Sequence, residues 1–386
     1  IIMATTKVIP GVLDLNQASS STGLKMPKGI SAYAAPPAVA EGMMRNEVGQ
    51  ASNGSVSSMQ HFNGTDWKNY QNLPNAPVTF NIDYLLVGGG GGGGFNLGGG
   101  GGAGAYIVSY NSETGGGSVP ATGSTGEMSR GVTYNITVGT PGAGATDDLS
   151  TGTNGSSTVL NFEGRGGGGA ISQTAIGGGG GGTMNSNTDT TQLNGVTGAS
   201  GGGGSRGNVG FGNANGGTAT SVNSGFNGGA GGTGAGNTWN AAGGGGGAFG
   251  VGQIPPATNT VGGAGGIGAT SGIDATSTGR GGGGGGGGYQ GTPAAGTSGG
   301  GDGGIDNSNQ AVDGTDYTGG GGGGGAGSGV LAGRHGGAGG SGVVIIRYPA
   351  AQSATLAGGA TGDVDQAVTG STDLYAKITG SGTITF

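Results

Sequence analysis

Residues Asp83–Gly94 read DYLLVGGGGGGG, an apolar segment suited to a buried β-strand running without a break into seven consecutive glycines. The joint recurs in reverse at Gly339–Pro349, GGSGVVIIRYP, where small residues lead into a β-branched run. Between these joints lie further runs: Gly98–Gly102, Gly166–Gly169, Gly177–Gly182, Gly201–Gly204, Gly243–Gly247, Gly281–Gly288 and Gly319–Gly325. Glycine supplies 111 of the 386 residues, whereas charged residues make up 8% and aromatic residues 5%. Burial of apolar side chains stabilises a fold by about 25 cal/mol per Å², and glycine has none to bury. It also loses more backbone freedom on folding than any other residue. A side-chain core therefore cannot hold the middle of this chain, and only its amides and carbonyls remain to do so.

From that argument the runs are predicted to be extended polyglycine II-type helices that rise about 3.1 Å per residue and make no internal hydrogen bonds. They would lie side by side and bond to one another, a contact that any Cβ would block. A disordered linker is the competing reading. Against it, the runs are nearly pure glycine and are bracketed by β-type segments. Collagen is excluded, because no strict every-third-residue glycine period exists and only 12 prolines are present.

The bracketing segments carry the clearest periodic signal. Ile82–Val87, Tyr106–Tyr110, Tyr134–Val138, Thr158–Phe162 and Val343–Tyr348 are rich in β-branched and aromatic residues and are predicted strands. They could form a sheet joining the first and last glycine rods. Tyr375–Phe386, YAKITGSGTITF, reads as a closing hairpin with Phe386 as a terminal apolar anchor. Residues 3–77 have ordinary composition; Met3 reads as the natural start, leaving Ile1 and Ile2 as an extension. Strands are expected at Gly42–Arg45 and Ser57–Phe62, with a turn at Asn63–Gly64 into Trp67–Tyr70. The fold class is thus mostly β and irregular, in three parts. An N-terminal β-meander for docking and oligomerisation occupies 1–77, a glycine-rich body with variable loops 78–350, and a C-terminal β-hairpin segment 351–386.

The formal charge of −7 leaves no basic surface for a phosphate backbone, so nucleic-acid binding is not expected. No apolar stretch approaches the ~18 to 20 residues of a membrane-spanning helix, and no membrane insertion is expected. The opening residues also lack the layout of a secretory signal. Cysteine is absent, and the two histidines, His61 and His335, stand in settings more typical of packing or solvation than of a catalytic base. No glycine run is followed by the Lys-Ser or Lys-Thr of a phosphate-binding loop. The chain is read as no enzyme, with no cofactor and no assigned metal.

Asp302, Asp306, Asp313 and Asp316 form the one acidic constellation. Hard oxygen ligands suit calcium, but a solvated acidic loop is the plainer reading, and a paired-acid glycosidase would need a broader groove. Inserts between the rods also carry Phe211, Phe226, Trp239, Phe249, Tyr289 and Tyr317. If the rods run back and forth, alternate inserts gather at one end as loops on a stiff scaffold. Trp239, Phe249, Tyr289 and Tyr317 are then candidates for receptor binding, able to stack on a sugar while nearby Asn, Asp, Ser and Thr bond its hydroxyls. Equally, such aromatics could plug the ends of the bundle.

Two stretches resemble known families. GLKMPKGISAYAAPPAVAEGMMRNEVGQ at Gly23–Gln50, followed by MQHFNGTDWKNY at Met59–Tyr70, looks like a module that recurs in tailed-phage fibre proteins. Asn46 follows Arg45 directly where that pattern commonly carries an intervening aromatic. DYLLVGGGGGGG, TYNITVGTPGAGA (Thr133–Ala145), NGSSTVLNF (Asn154–Phe162) and GGSGVVIIRYP resemble, in order, the glycine-rich domain of phage tail fibres and adhesins. The resemblance implies a virion subunit, expected to be a homo-oligomer of the trimeric kind common to fibres. It would join other virion proteins through its N-terminal module and meet a host surface glycan or outer-membrane protein at its tip. A purely structural head or tail fibre is the alternative, and an ice-binding protein a third, which would need a flat Thr/Ala face.

Overall fold

A computed structural model of the chain describes residues 28–29, 44–49, 56–62, 67–69, 78–120, 126–164, 168–184, 191–207, 214–220, 224–232, 241–256, 260–306, 309–327 and 334–386. It divides into two compact units, Ile1–Val78 and Thr79–Phe386. In the first, β1 (Lys28–Gly29), β2 (Met44–Gly49), β3 (Val56–Phe62) and β4 (Trp67–Asn69) form a sheet in that order. β1 runs parallel to β2, and the other pairs are antiparallel. The strand expected at Gly42–Arg45 is placed at Met44–Gly49, because six residues of β2 find partners on β3, from Met44 opposite His61 to Gly49 opposite Val56. The expected turn at Asn63–Gly64 lies outside the described residues.

The second unit contains β5 (Thr79–Val87), β6 (Tyr106–Val108), β7 (Thr114–Gly115), β8 (Val119–Pro120), β9 (Gly126–Ser129), β10 (Thr133–Thr137), β11 (Thr158–Gly164) and β12 (Gly168–Ala175). The remaining glycine-rich tracts follow, and then β13 (Val343–Pro349), β14 (Thr355–Ala357), β15 (Gly362–Ala367), β16 (Asp373–Ile378) and β17 (Gly382–Thr385). Apart from the β7–β8 ribbon, these make one 11-stranded sheet in the order β14-β17-β10-β11-β9-β5-β13-β16-β15, with β12 beside β11 and β6 beside β5. Its end strands β14 and β15 also touch, so the sheet nearly closes on itself.

β5 and β13 pair antiparallel from Val87 opposite Val343 to Asp83 opposite Arg347. Over Tyr84–Val87 and Val343–Ile346 both are apolar on both faces, as a strand segment buried on two sides must be. Ile82, Tyr84, Leu86, Val344, Ile346 and Tyr348 enter one core, which also holds Leu160, Phe162, Ile378 and Ile384. Leu85, Val87, Val343 and Ile345 point the other way into a smaller core with Tyr106, Val108 and Ile273. Tyr106–Tyr110, expected as one strand, is β6 followed by a 3-10 turn at Tyr110–Ser112.

Tyr375–Phe386 is not a hairpin. β16 pairs with β13 and β15, and β17 with β10 and β14, so the two strands never meet. β13 offers β16 the longer partner: six residues of β16 pair with it, whereas β17 has only four residues. Phe386 packs against the larger core, its ring 5.0 Å from Phe80 and 4.9 Å from Tyr348 in edge-on geometry.

The expectation of packed polyglycine II-type helices is corrected by this architecture. Among the described residues regular structure is nearly all strand, and helical content is confined to 3-10 turns of three residues. Regular elements form where β-branched and aromatic side chains can be buried, and the described glycine tracts, apart from Gly168 and Gly169 at the start of β12, are neither helix nor strand. Their amides are nevertheless satisfied. Gly88, Gly91 and Gly94 donate to the carbonyls of Ala105, Gly102 and Gly99; Gly89 and Gly92 donate to Ser156 and Thr153; Gly90 and Gly93 donate to Gly340 and Gly337. Successive amides thus address three different neighbouring segments in turn, at 2.8–3.0 Å.

Three tyrosines sit within this frame as neutral phenols. Burial, and secondarily the charge of Asp83, raises the Tyr84 pKa from 10.0 to about 12, and burial also raises those of Tyr106 and Tyr348. A phenol whose pKa is higher in the folded state contributes stability that is complete below its unfolded value and is lost as pH rises through the folded one. The chain is therefore expected to lose stability from pH 10 toward pH 12, the window set by Tyr84. Tyrosinate absorbance and backbone dichroism, recorded in one alkaline titration, should change together. Ionisation of all tyrosines while the fold persists unweakened would contradict this.

Candidate functional site

The tracts run back and forth between the sheet and an opposite, far end. Leaving β5, the chain reaches Gly94, reverses through Phe95–Leu97 and returns to β6. The reversal places two non-glycine residues in left-handed backbone, Asn96 (φ 49°) and Leu97 (φ 52°). Other tract ends assemble around it. Met184 donates its amide to the Phe95 carbonyl, Arg206 to Leu97, and Asn96 to Arg334. Gly336 in turn donates to Ala145, and Gly327 to Gly288.

On this far end the 146–151 connection presents Leu149, 64% exposed. Asp147 Oδ1 accepts the Ser150 hydroxyl (2.8 Å) and the Leu149 amide (3.0 Å), which hold its carboxyl below its ordinary pKa. Gln192 Nε2 donates to the Leu149 carbonyl at 2.6 Å. The His335 ring lies 5.9 Å from Phe95. Burial lowers the pKa of the half-buried Arg206 guanidinium, one of whose nitrogens approaches Met184 Sδ at 3.8 Å. The connections 185–190, 208–213, 233–240, 257–259 and 328–333 lie outside the described residues, but each leaves from and returns to described tract ends at this same end.

The four candidate aromatics are not brought together. Tyr289 is half-buried at the far end, its amide donating to the Thr260 carbonyl. Phe249 lies at the sheet end, where its ring packs edge-on against Tyr106 at 5.4 Å as a partner of the smaller core. Tyr317 is also at the sheet end; it is 39% exposed, in left-handed backbone (φ 63°), with the Lys377 ammonium 5.7 Å from its ring centre. Trp239 lies outside the described residues.

The four aspartates are likewise spread along the tracts. Asp302 accepts the Gly296 amide (2.8 Å), Asp313 the Ala338 amide (2.7 Å) and Asp316 the Ser341 hydroxyl (3.1 Å). Three of them thus bond neighbouring segments from the side. Asp306 stands at a far-end turn with φ 38°. Among the described residues no three His, Cys, Asp or Glu side chains form a group able to hold a metal ion.

A family model for the glycine-rich domain matches residues 74–349. The chain belongs to the glycine-rich domain family. No curated protein matches it. The match spans the tracts and the strands that frame them, from ahead of β5 to the end of β13. In this glycine-rich domain the groups gathered at the far end, namely Asn96, Asp147, Leu149, Ser150 and Tyr289, are hydrogen-bonding and apolar surface groups. Asn96, Asp147, Leu149 and Ser150 were missed by sequence reasoning. Their signal was position, since each closely follows the end of a tract.

Proposed function

We propose that this chain is a structural subunit of a tailed-phage virion, a fibre or fibre-tip adhesin whose far end attaches to a host surface molecule, most simply an envelope glycan. The observation that carries the reading is the convergence of so many tract ends on one end of a body held by main-chain bonds. Binding residues concentrate on loops that a rigid scaffold positions, and this end joins stiff tracts to connections of varied chemistry. The fibre-module likeness of residues 23–70 and membership of the glycine-rich domain family support the virion assignment. On this reading residues 1–77 dock to other virion proteins and oligomerise, as a trimer, and the chain performs no catalysis.

The test is competition for phage adsorption. Purified chain should bind host cells and block adsorption. Replacing residues 185–190 and 233–240 by short Gly-Ser connections should cut cell binding at least tenfold while the dichroism of the body stays unchanged. Undiminished binding after both replacements, or no binding by the intact chain, would favour a purely structural head or tail fibre instead.

A further inference from the structure

The β5–β13 ladder closes from Val87 to Asp83 and then opens. Beyond Asp83, β5 turns to β9, pairing Ile82 with Gly126 and Thr79 with Ser129. β13 stays with β16 as far as Pro349 opposite Asp373. Proline has no N–H with which to extend the ladder toward β5. The strands part around an open cavity of about 180 Å³ lined by Asn81, Ile82, Asp83, Arg347, Tyr348, Pro349 and Asp373.

Strand side chains alternate between faces, so Asn81, Asp83 and Arg347 share the face opposite the larger core. The polar groups are held in place before any ligand arrives. Arg347 Nε donates to Asp373 Oδ2 at 3.0 Å, and a terminal nitrogen donates to the Tyr110 hydroxyl at 2.9 Å. Asp83 Oδ1 accepts the Ser109 hydroxyl at 3.1 Å, and Ser109 Oγ itself accepts the Tyr84 amide. Asp83 is half-buried, and desolvation raises its carboxyl pKa. Glu113 and Asp373 add negative charge around it, against the single positive charge of Arg347.

We propose that this fork is a binding site for one sugar ring, neutral or amine-bearing. The cavity is smaller than the ~300–1,000 Å³ pockets that enclose drug-sized ligands and is open to solvent, so it would seat no more than a single ring. The carboxylate and guanidinium groups so held, with the exposed amide of Asn81, supply the acceptors and donors that adjacent hydroxyls need. A hydroxyl or ammonium donated to Asp83 would restore bonding it lost on burial, whereas the excess of carboxylates repels acidic sugars. The fork lies on the sheet, so the inference goes beyond the far-end adhesive reading and fails or stands separately from it.

Saturation-transfer NMR on the intact chain, with methyl glucoside, methyl galactoside, glucosamine and glucuronic acid as probes, tests the proposal. Transfer is expected to at least one neutral sugar and to glucosamine, with none to glucuronic acid. Asn81 is exposed, so Asn81→Ala should leave the melting curve unchanged and weaken binding at least tenfold; Asp83→Asn should abolish any preference for glucosamine. No transfer to the neutral and amine-bearing sugars, equal transfer to glucuronic acid, or binding indifferent to Asn81→Ala would overturn the site. In the last case the sugar is bound elsewhere, and the far-end reading is untouched.

Discussion

Gly321→Ala is expected to prevent the glycine-rich body from folding. Gly321 donates its amide to the Gly282 carbonyl at 3.0 Å, and the adjacent Gly322 carbonyl accepts from Gly101 at 2.8 Å. A Cβ on Gly321 would overlap the carbonyl of Gly101 and press on the Gly284 nitrogen. Every one of these atoms is backbone, so no side chain can rotate away. Overpacking an ordinary core costs about 1–3 kcal/mol because side chains and helices shift. Here the displaced strands of chain are themselves bonded to further segments, and the cost should exceed that range. Gly169→Ala, on edge strand β12 with nothing near its Cβ, is the matched control and should stay within about 0.5 kcal/mol of the parent. Thermal melting of both variants checks this; Gly321→Ala melting with the parent would refute the account of the body.

Asp274→Ala should be the most damaging change outside the tracts. Asp274 Oδ2 and Arg280 Nη2 lie 2.7 Å apart, with side chains only 2% and 1% exposed. The pair sits in the 269–280 insert, where Ala269 and Arg280 exchange backbone bonds and Ile273 enters the smaller core. Asp274 Oδ1 also accepts the Thr276 hydroxyl at 2.8 Å. Removing the carboxylate strands a buried guanidinium, which costs about 3–5 kcal/mol out of the ~5–15 kcal/mol that separates folded from unfolded domains. Asp274→Ala with Arg280→Met removes both charges and should recover much of the loss. Denaturant midpoints of the three proteins decide it: a double variant no more stable than the single one would mean that charge burial is not the cause.

The sequence made the joints legible. DYLLV and VVIIRY announce strands because β-branched and aromatic residues crowd them, and those strands are β5 and β13. That the tract amides must bond outward also follows from composition alone, since glycine leaves no other group. Partner choice does not follow. Nothing in a glycine run distinguishes Gly101 from any other neighbour of Gly321, and alternation in YAKITGSGTITF reveals a face but not that β16 and β17 pair elsewhere. The helical expectation failed for a related reason, since composition says that amides need partners and says little about the regularity with which they find them.

The candidate aromatics were chosen by residue type, and that choice mixed two ends of the molecule. Counting reversals would have separated Phe249 and Tyr317 from Tyr289. However, the sheet-end reversals near Ala199 and at Ser298–Gly299 are made by small residues inside low-complexity sequence and leave no mark there. Phe249 then serves the core beside Tyr106. The fork at Pro349 was equally hidden, because the proline explains the parting of two strands only once their register is known.

Because carbonyls rather than methyl groups hold the tracts to one another, a peripheral segment can be lengthened or exchanged without repacking anything beneath it. The remaining penalty is chain closure, about 0.6 kcal/mol for each doubling of length. A conventional interior, filled to crystal density, grants no such freedom. Lineages built on this body can diversify one reversal at a time while the architecture underneath stays constant.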